Sequence, residues 1–326
     1  MIFITGANGL VGSYIVKQLL SQNIRPRCLK RKNSDLSLLK EFNDEIDWVE
    51  GDLLDIIGLT KLLNGVHQII HAAGLVSFNP KHYDLMLKVN VEGTANLVNA
   101  ALNLSIKKFF FVSSISTLGK GKIKNTISES SMWEESDENS YYSKTKYLAE
   151  LEVWRGIEEG LEGIIINPTI ILGPGNWLNG STKLFKYGYD ENIFYPSGTI
   201  NFIDVRDVAN LTLLLLNSGI FNERYILNSG TTTYKEFFNK VALAFDKKPP
   251  KTKATKLISE LAWRLEKIKA FIFKKDPLLT KETARASKNN LIYENQKIKN
   301  LFNYNFIELD TTINWVTESL QEKYIS

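Results

Sequence analysis

The sequence predicts a doubly wound α/β fold, a parallel sheet with helices on both faces, and a smaller C-terminal region interleaved with it. Three observations predict it. Short β-rich runs alternate with helix-period segments through the first half of the chain. Two of the runs, the FFFV after Lys108 and the III after Gly163, are apolar throughout, as strands buried on two faces are. Three glycines, Gly6, Gly9 and Gly12, stand between the first run and the first helix.

In chain order, Ile2–Ile4 reads as the first strand and Leu10–Leu20 as its helix. Arg25–Leu29, Ile46–Val49 and Ile69–His71 follow as strands, and a helix through Val89–Leu102 leads to a fifth strand at Phe109–Val112. After Asn167 the texture changes to NPTIILGPGNWLNGS, rich in turn residues. Beyond it short strands mix with helices such as Tyr234–Phe245, opened by a Thr233…Glu236 capping box. The reading assigns residues 1–167 to the sheet domain and 168–326 to the smaller region. Phe202–Val205 and Tyr225–Leu227 still read as strands able to extend the sheet, so 200–228 is assigned to the first domain as well.

With 44% hydrophobic and 23% charged residues, the 326-residue chain can bury a sizeable core. A net charge of +4 does not indicate nucleic acid, though it suits a phosphate-bearing ligand. Cys28, alone, excludes an intramolecular disulfide framework, and His67, His71 and His82 lack ligand spacing, so no metal is expected. The longest aliphatic stretch, Leu211–Leu216, falls far short of the ~20 residues that cross a bilayer. The glycines follow Met1 too closely to leave room for a signal peptide. A cytoplasmic protein with no integral membrane segment is expected.

The glycines answer a chemical requirement. A dinucleotide's pyrophosphate needs close backbone approach and a helix N-terminus, and a Cβ at the contact points would hold the phosphates away. Gly6 permits the tight turn, Gly9 the close approach, and Gly12 the packing of helix on sheet. The spacing G-x-x-G-x-x-G departs by one residue from the usual fingerprint, but its place between strand and helix supports a Rossmann-type dinucleotide site. At the end of the second strand an acid would favour the ribose 2′-hydroxyl and an arginine a 2′-phosphate. Here stand Lys30, Arg31 and Lys32, with no acid before Asp35. Arg31 can stack on adenine and fork onto a phosphate, so NADP is expected and NAD is the alternative. The third strand ends in Glu50-Gly51-Asp52-Leu53, where Asp52 could accept from the adenine amine. A solvated basic turn and a plain loop aspartate are the competing readings.

Hydride transfer to a carbonyl also requires a proton held near neutral pH. A tyrosine, with a reference pKa near ~10, must fall by roughly 3 units, which asks for about 4 kcal/mol of electrostatic help. A lysine one helical turn away can give it. Tyr142 and Lys146 have that spacing, and so do Tyr293 and Lys297. Position decides for the first pair, because Tyr142 follows the fifth strand, FVSSIST, whose C-terminal end is where parallel sheets bind ligands. Ser114 there can hydrogen-bond the substrate oxygen, in preference to Ser113 and Ser116.

The segments TGANGLVG, EGDLLD, HAAG, NVEGTANLVNAA, FVSSISTLG, YSKTKYLAE, NPTIILGPG, FIDVRDVA and YILNSG together closely resemble the extended short-chain dehydrogenase/reductase superfamily, also called NAD-dependent epimerase/dehydratases. The resemblance covers the chain almost end to end. It implies a Ser114, Tyr142, Lys146 triad, with Lys146 also binding the nicotinamide ribose. Asn8, Leu10, Leu53, Ala72 and Pro168 join the expected cofactor contacts, and Asn90 resembles the asparagine that supports the site. The LKRKNSD, GPGNW and FIDVRDVA segments with the tail look most like dihydroflavonol-4-reductase-like proteins, NADPH-linked ketone or aldehyde reductases. Sugar dehydratases of the superfamily carry Asp-Glu after the catalytic hydroxyl residue, where this chain has Ile115 and Ser116. A nucleotide-sugar epimerase with tightly bound NAD is the alternative, and a non-catalytic dinucleotide sensor a second one.

Phe78, Trp133, Trp177 and Phe185 fall in loops expected at the mouth, where they could face an apolar or aromatic substrate or pack the loops down. Tyrosines and a helix after Ser140 could form a homodimer face. Lys247–Lys275 holds a run of basic residues around the amphipathic LISELAWRLEKIKAFIF. It reads as a solvated basic helix face or as a contact for an acidic partner or membrane surface.

Overall fold

A computed structural model describes residues 1–119, 126–136, 139–273 and 280–325. Lys274 and Lys275 of the basic run lie outside the described residues, as do the side chains of Lys256, Lys267 and Lys269. The first half is βα-repetitive: β1 (Ile2–Thr5), α1 (Leu10–Leu20), β2 (Arg27–Lys30), β3 (Asp47–Glu50), α2 (Ile56–Leu62) and β4 (Gln68–His71). Then come α3 (Tyr83–Met86), a π-helical turn at Leu87–Glu92, α4 (Gly93–Asn103), β5 (Lys108–Val112), β6 (Thr126–Ile127), α5 (Tyr141–Glu158) and β7 (Glu162–Pro168). The second half continues with β8 (Ile170–Leu172), α6 (Thr182–Tyr189), β9 (Phe194–Tyr195), β10 (Thr199–Asp204), α7 (Val205–Asn217), β11 (Glu223–Leu227), β12 (Gly230–Thr233) and α8 (Tyr234–Ala244). It closes with β13 (Thr252–Lys253), α9 (Lys256–Phe273), α10 (Lys281–Ala286), β14 (Ile292–Tyr293), α11 (Gln296–Phe302) and α12 (Leu309–Tyr324).

Seven strands form one parallel sheet in the order β11-β7-β5-β4-β1-β2-β3. Its faces carry two apolar layers. Ile4, Ile70, Phe110, Ile164 and Tyr225 pack on one side under α1 and α7. Phe3, Ile69, Phe109, Phe111 and Ile165 pack on the other under α4 and α5. The fully apolar strands are thus apolar because both faces are covered.

The two strands read as extending the sheet part company. Tyr225–Leu227, within β11, adds the edge strand by pairing with β7. Of Phe202–Val205, the first three residues instead fall in β10, which sits between β8 and β12 in a separate three-stranded sheet, and Val205 opens α7. That small sheet and helices α6, α8 and α12 share a third core around Phe185, Phe237, Val241 and Val316. At Thr233 half of the capping box forms. Its hydroxyl accepts from Glu236 N–H at 3.1 Å, while the Glu236 carboxylate takes the Thr232 hydroxyl instead of reaching back.

The end of the chain is tied to its beginning. Asp207 on α7 accepts from the Tyr304 hydroxyl at 2.9 Å and from Ile307 N–H at 3.0 Å. Asp204 takes Arg206 and, at 2.8 Å, the Thr312 hydroxyl of α12. Trp315 of α12 meets Tyr14 of α1 edge-on at 5.8 Å, with the Arg206 guanidinium over the Trp315 ring at 3.8 Å.

Candidate active site

Strand order reverses between β1 and β4, and the glycine loop follows β1 at that switch point, where α/β sheets leave a crevice at their C-terminal ends. Gly6 has φ of +71°, and a Cβ there would sit 2.5 Å from Ala73 N. A Cβ on Gly12 would collide with the Gly6 carbonyl. Gly9 differs: it is exposed, and a Cβ would meet only the Gly6 oxygen, at 3.3 Å. Two of the glycines are therefore fixed by packing, and the third leaves an open surface. No side chain caps the start of α1 behind it. A free helix N-terminus beside a face kept clear of Cβ atoms fits a pyrophosphate. Leu10, in the first turn, lies against Gly173 and Gly175, and Ala72 N–H donates to Thr5 O at 3.1 Å.

Arg31 follows β2 and is exposed, its N–H bonded to the Ser34 hydroxyl at 3.0 Å. Asp52, just past β3 on the same edge of the sheet, is also exposed and accepts from Leu54 N–H at 2.9 Å. Leu53 is buried, and its carbonyl is held by Asn96 of α4 at 3.0 Å. Pro168 ends β7 opposite Leu227.

The end of β5 and the first turns of α5 carry the reactive groups. Ser140 caps α5 by accepting from Ser143 N–H at 3.0 Å, which sets Tyr142, Lys146 and Glu150 on successive turns of one face. The Ser114 hydroxyl accepts from Ser116 Oγ at 2.9 Å and acts on the neighbouring Tyr142 phenol. Ser113 is unavailable, since it donates to Glu150 at 2.5 Å. Lys146 is buried and donates to the Val112 carbonyl at 2.9 Å, with the Phe111 ring 4.2 Å below its Nζ.

Sequence reasoning has Lys146 acidify the phenol. In the structure burial dominates Tyr142 and pushes its pKa up, with only the Ser114 hydroxyl pulling the other way. The lysine shifts as well: burial brings it down to about 8, against the opposing pull of Glu150. Glu150 is the residue that sequence reasoning missed. Its Oε2 accepts from Ser113, from Thr117 at 2.9 Å and from Asn167 at 2.9 Å, while Oε1 faces Arg224 at 3.5 Å. Its four-residue step beyond Lys146, on the face that carries Tyr142, is the signal that could have found it.

Behind the site, His71 at the end of β4 bonds Thr5 through Nδ1 at 2.6 Å and Thr94 through Nε2 at 2.9 Å. Asn90 lies in the π-helical turn, accepts from Leu75 N–H at 2.7 Å and donates to Thr145 of α5 at 3.1 Å. It clamps the loop after β4 to the helix of Tyr142. Among the mouth candidates, Phe78 meets Tyr142 edge-on at 6.0 Å. Trp133 stacks on Tyr147 at 4.6 Å. Trp177 and Phe185 are core residues of the third layer, so for them the packing reading holds. Tyr293 lies in β14 and Lys297 in α11, so this pair does not share one helix, and Lys297 pairs with Glu223 at 2.5 Å. Among the described residues no three His, Cys, Asp or Glu converge on a metal position, and no helix is long and apolar enough to cross a membrane.

A glycine cradle at the switch point of a doubly wound sheet, one strand removed from a Ser–Tyr pair backed by a buried lysine, belongs to the dinucleotide-dependent oxidoreductases. The comparisons give the family. The model of the NAD dependent epimerase/dehydratase family matches residues 2–227, and the chain belongs to that family, within the extended short-chain dehydrogenase/reductases. Cinnamoyl-CoA reductase 2 of Medicago truncatula is 28% identical over 267 residues, 77% of this chain and 79% of that protein. The putative dihydroflavonol 4-reductase of Synechocystis sp. is 31% identical over 231 residues, 69% of this chain and 66% of its own. The crystal structure of gox2253 superposes with a TM-score of 0.84 at 28% identity, covering 99% of this chain and 98% of that one. The protein is an NAD(P)-dependent reductase of the extended short-chain type.

Proposed function

We propose that the protein reduces the carbonyl of an apolar ketone or aldehyde with NADPH, using Ser114, Tyr142 and Lys146. The observation that carries this reading is the placement of Ser114 just past the C-terminal end of β5, where it acts on the Tyr142 phenol, with Lys146 buried one turn along the helix of Tyr142. The two neighbouring hydroxyls are placed to bond one substrate oxygen together. Ser116 donates to Ser114 Oγ, which leaves the Ser114 proton free to point at that oxygen. Tyr142 gives its proton to the same oxygen as charge develops there, and the Lys146 ammonium favours the resulting phenolate. When bound, the nicotinamide supplies the hydride. Gly6, Gly9, Gly12, Asn8 and Leu10 form the proposed pyrophosphate contact, Arg31 the 2′-phosphate contact, Asp52 and Leu53 the adenine side, and Ala72 and Pro168 the nicotinamide side.

The reductase names of the relatives, and Phe78 edge-on to Tyr142, support an aromatic or otherwise apolar substrate. Dehydration is disfavoured because Ile115 and Ser116 replace an acid–base pair and Ser116 is committed to Ser114. A single buried cysteine supports a cytoplasmic setting. The test is NADPH consumption against a panel of aryl and alkyl ketones and aldehydes. Tyr142→Phe should lower turnover by ~10²-fold or more while NADPH still binds. Unchanged turnover in Tyr142→Phe would refute the proposed proton donor. Inversion of a sugar nucleotide with bound NAD conserved would replace the reading with the epimerase one.

A further inference from the structure

The positive charge of the chain is concentrated in one segment. Residues 247–275 carry ten Lys or Arg against two Glu, a net +8 within a total of +4, so the other 297 residues carry a net −4. This segment is the connection from α8 to α10, and its helix α9 places Leu257, Leu261 and Leu265 at four-residue steps on one face. They are 83%, 60% and 56% exposed. The opposite side faces protein: Ser259 is buried and α9 packs on α10. Lys248, Lys251 and Lys253 are exposed on the approach to the helix. Of the two carboxylates, Glu260 is neutralised by Arg264 at 2.9 Å.

Single exposed leucines are ordinary on any surface. A row of three on a helix framed by a net +8 has the composition of a helix that lies in the plane of a membrane. We propose that α9 docks the protein on an anionic lipid surface, with the leucines at the headgroup–acyl boundary and Lys248, Lys251 and Lys253 against lipid phosphates. The charge argues against the other occupants. A second copy would set one +8 segment against another, and a nucleic acid would gain nothing from the leucines. Docking needs no turnover and stands independently of the reductase reading.

The full-length protein should be sedimented with phosphatidylcholine vesicles, with and without phosphatidylserine, at low and physiological salt. The expected result is at least ~tenfold stronger partition onto the anionic vesicles, weakened by salt. The triple variant Leu257→Ser, Leu261→Ser, Leu265→Ser should lose ~tenfold or more of that partition while its melting temperature and NADPH binding hold, because the three side chains face solvent. The proposal is overturned if the wild type shows no phosphatidylserine-dependent partition, or if the triple variant partitions equally well. It is also overturned if sedimentation velocity shows a wild-type dimer that the triple variant abolishes, which would assign the face to a second copy.

Discussion

His71 gives the fold a calculable sensitivity to acid. It is fully buried beside the rings of Phe109 and Phe111, its two nitrogens taken by Thr5 and Thr94. Burial, with a smaller push from the nearby Lys146 charge, lowers its pKa from 6.5 to about 3. Between those values the unfolded chain binds a proton that the folded chain refuses. Stability is therefore full above the unfolded value and is lost as pH falls toward the folded one. At about pH 5 the unfolded imidazole is roughly thirtyfold more protonated than neutral, and the loss is about 2 kcal/mol, rising to about 4 kcal/mol near pH 3. Asp207 runs the other way: burial raises it to about 6, so the folded state holds its proton and gains stability over part of the same range. A comparison with His71→Gln cancels that second contribution. Urea midpoints of both proteins, converted to free energies at about pH 7.5 and about pH 5, should show a stability gap that narrows by about 2 kcal/mol on acidification. A gap that stays constant would mean that His71 carries a proton in the fold, and the reasoning from burial would be wrong.

Three further outcomes follow from the geometry. Gly12→Ala should cost about 3 kcal/mol in denaturant unfolding, because its Cβ collides with backbone, whereas Gly9→Ala should cost under ~1 kcal/mol yet weaken NADPH binding ~tenfold in a fluorescence titration. Glu150→Gln should lower stability by about 2 kcal/mol by leaving buried donors mismatched, and should move the alkaline limb of the rate profile to lower pH, since the carboxylate holds the Lys146 pKa up. Arg31→Ser should raise KM for NADPH by ~tenfold and leave that for NADH unchanged.

The sheet was legible because period and apolarity state it directly. β1, β4, β5 and β7 have no polar face to disguise them, and the glycines need no partner to be read. Phe202–Val205 misled because a buried strand looks the same in either sheet, and only the pairing of β10 with β8 and β12 separates the cases. Trp177 and Phe185 stood open to two readings for the same reason: a large ring shows its size in the sequence but not its surroundings. The spacing of Tyr142 and Lys146 was visible, but Glu150 took its place only when Ser113 and Thr117 from the loop after β5 and Asn167 from β7 were brought to it. The direction of the phenol's shift was likewise hidden, since burial is a property of the assembled fold.

The contact of Tyr14 with Trp315, and of Asp204 and Asp207 with the residues around Tyr304 and Thr312, makes the two termini of the polypeptide parts of a single brace. A load on the glycine loop presses on α1, and α1 rests on α7 and on the last helix. Filling the crevice should therefore slow amide exchange across 304–320, a stretch that no phosphate touches. Removing those residues would not shorten an accessory tail; it would strip the backing from the cradle itself.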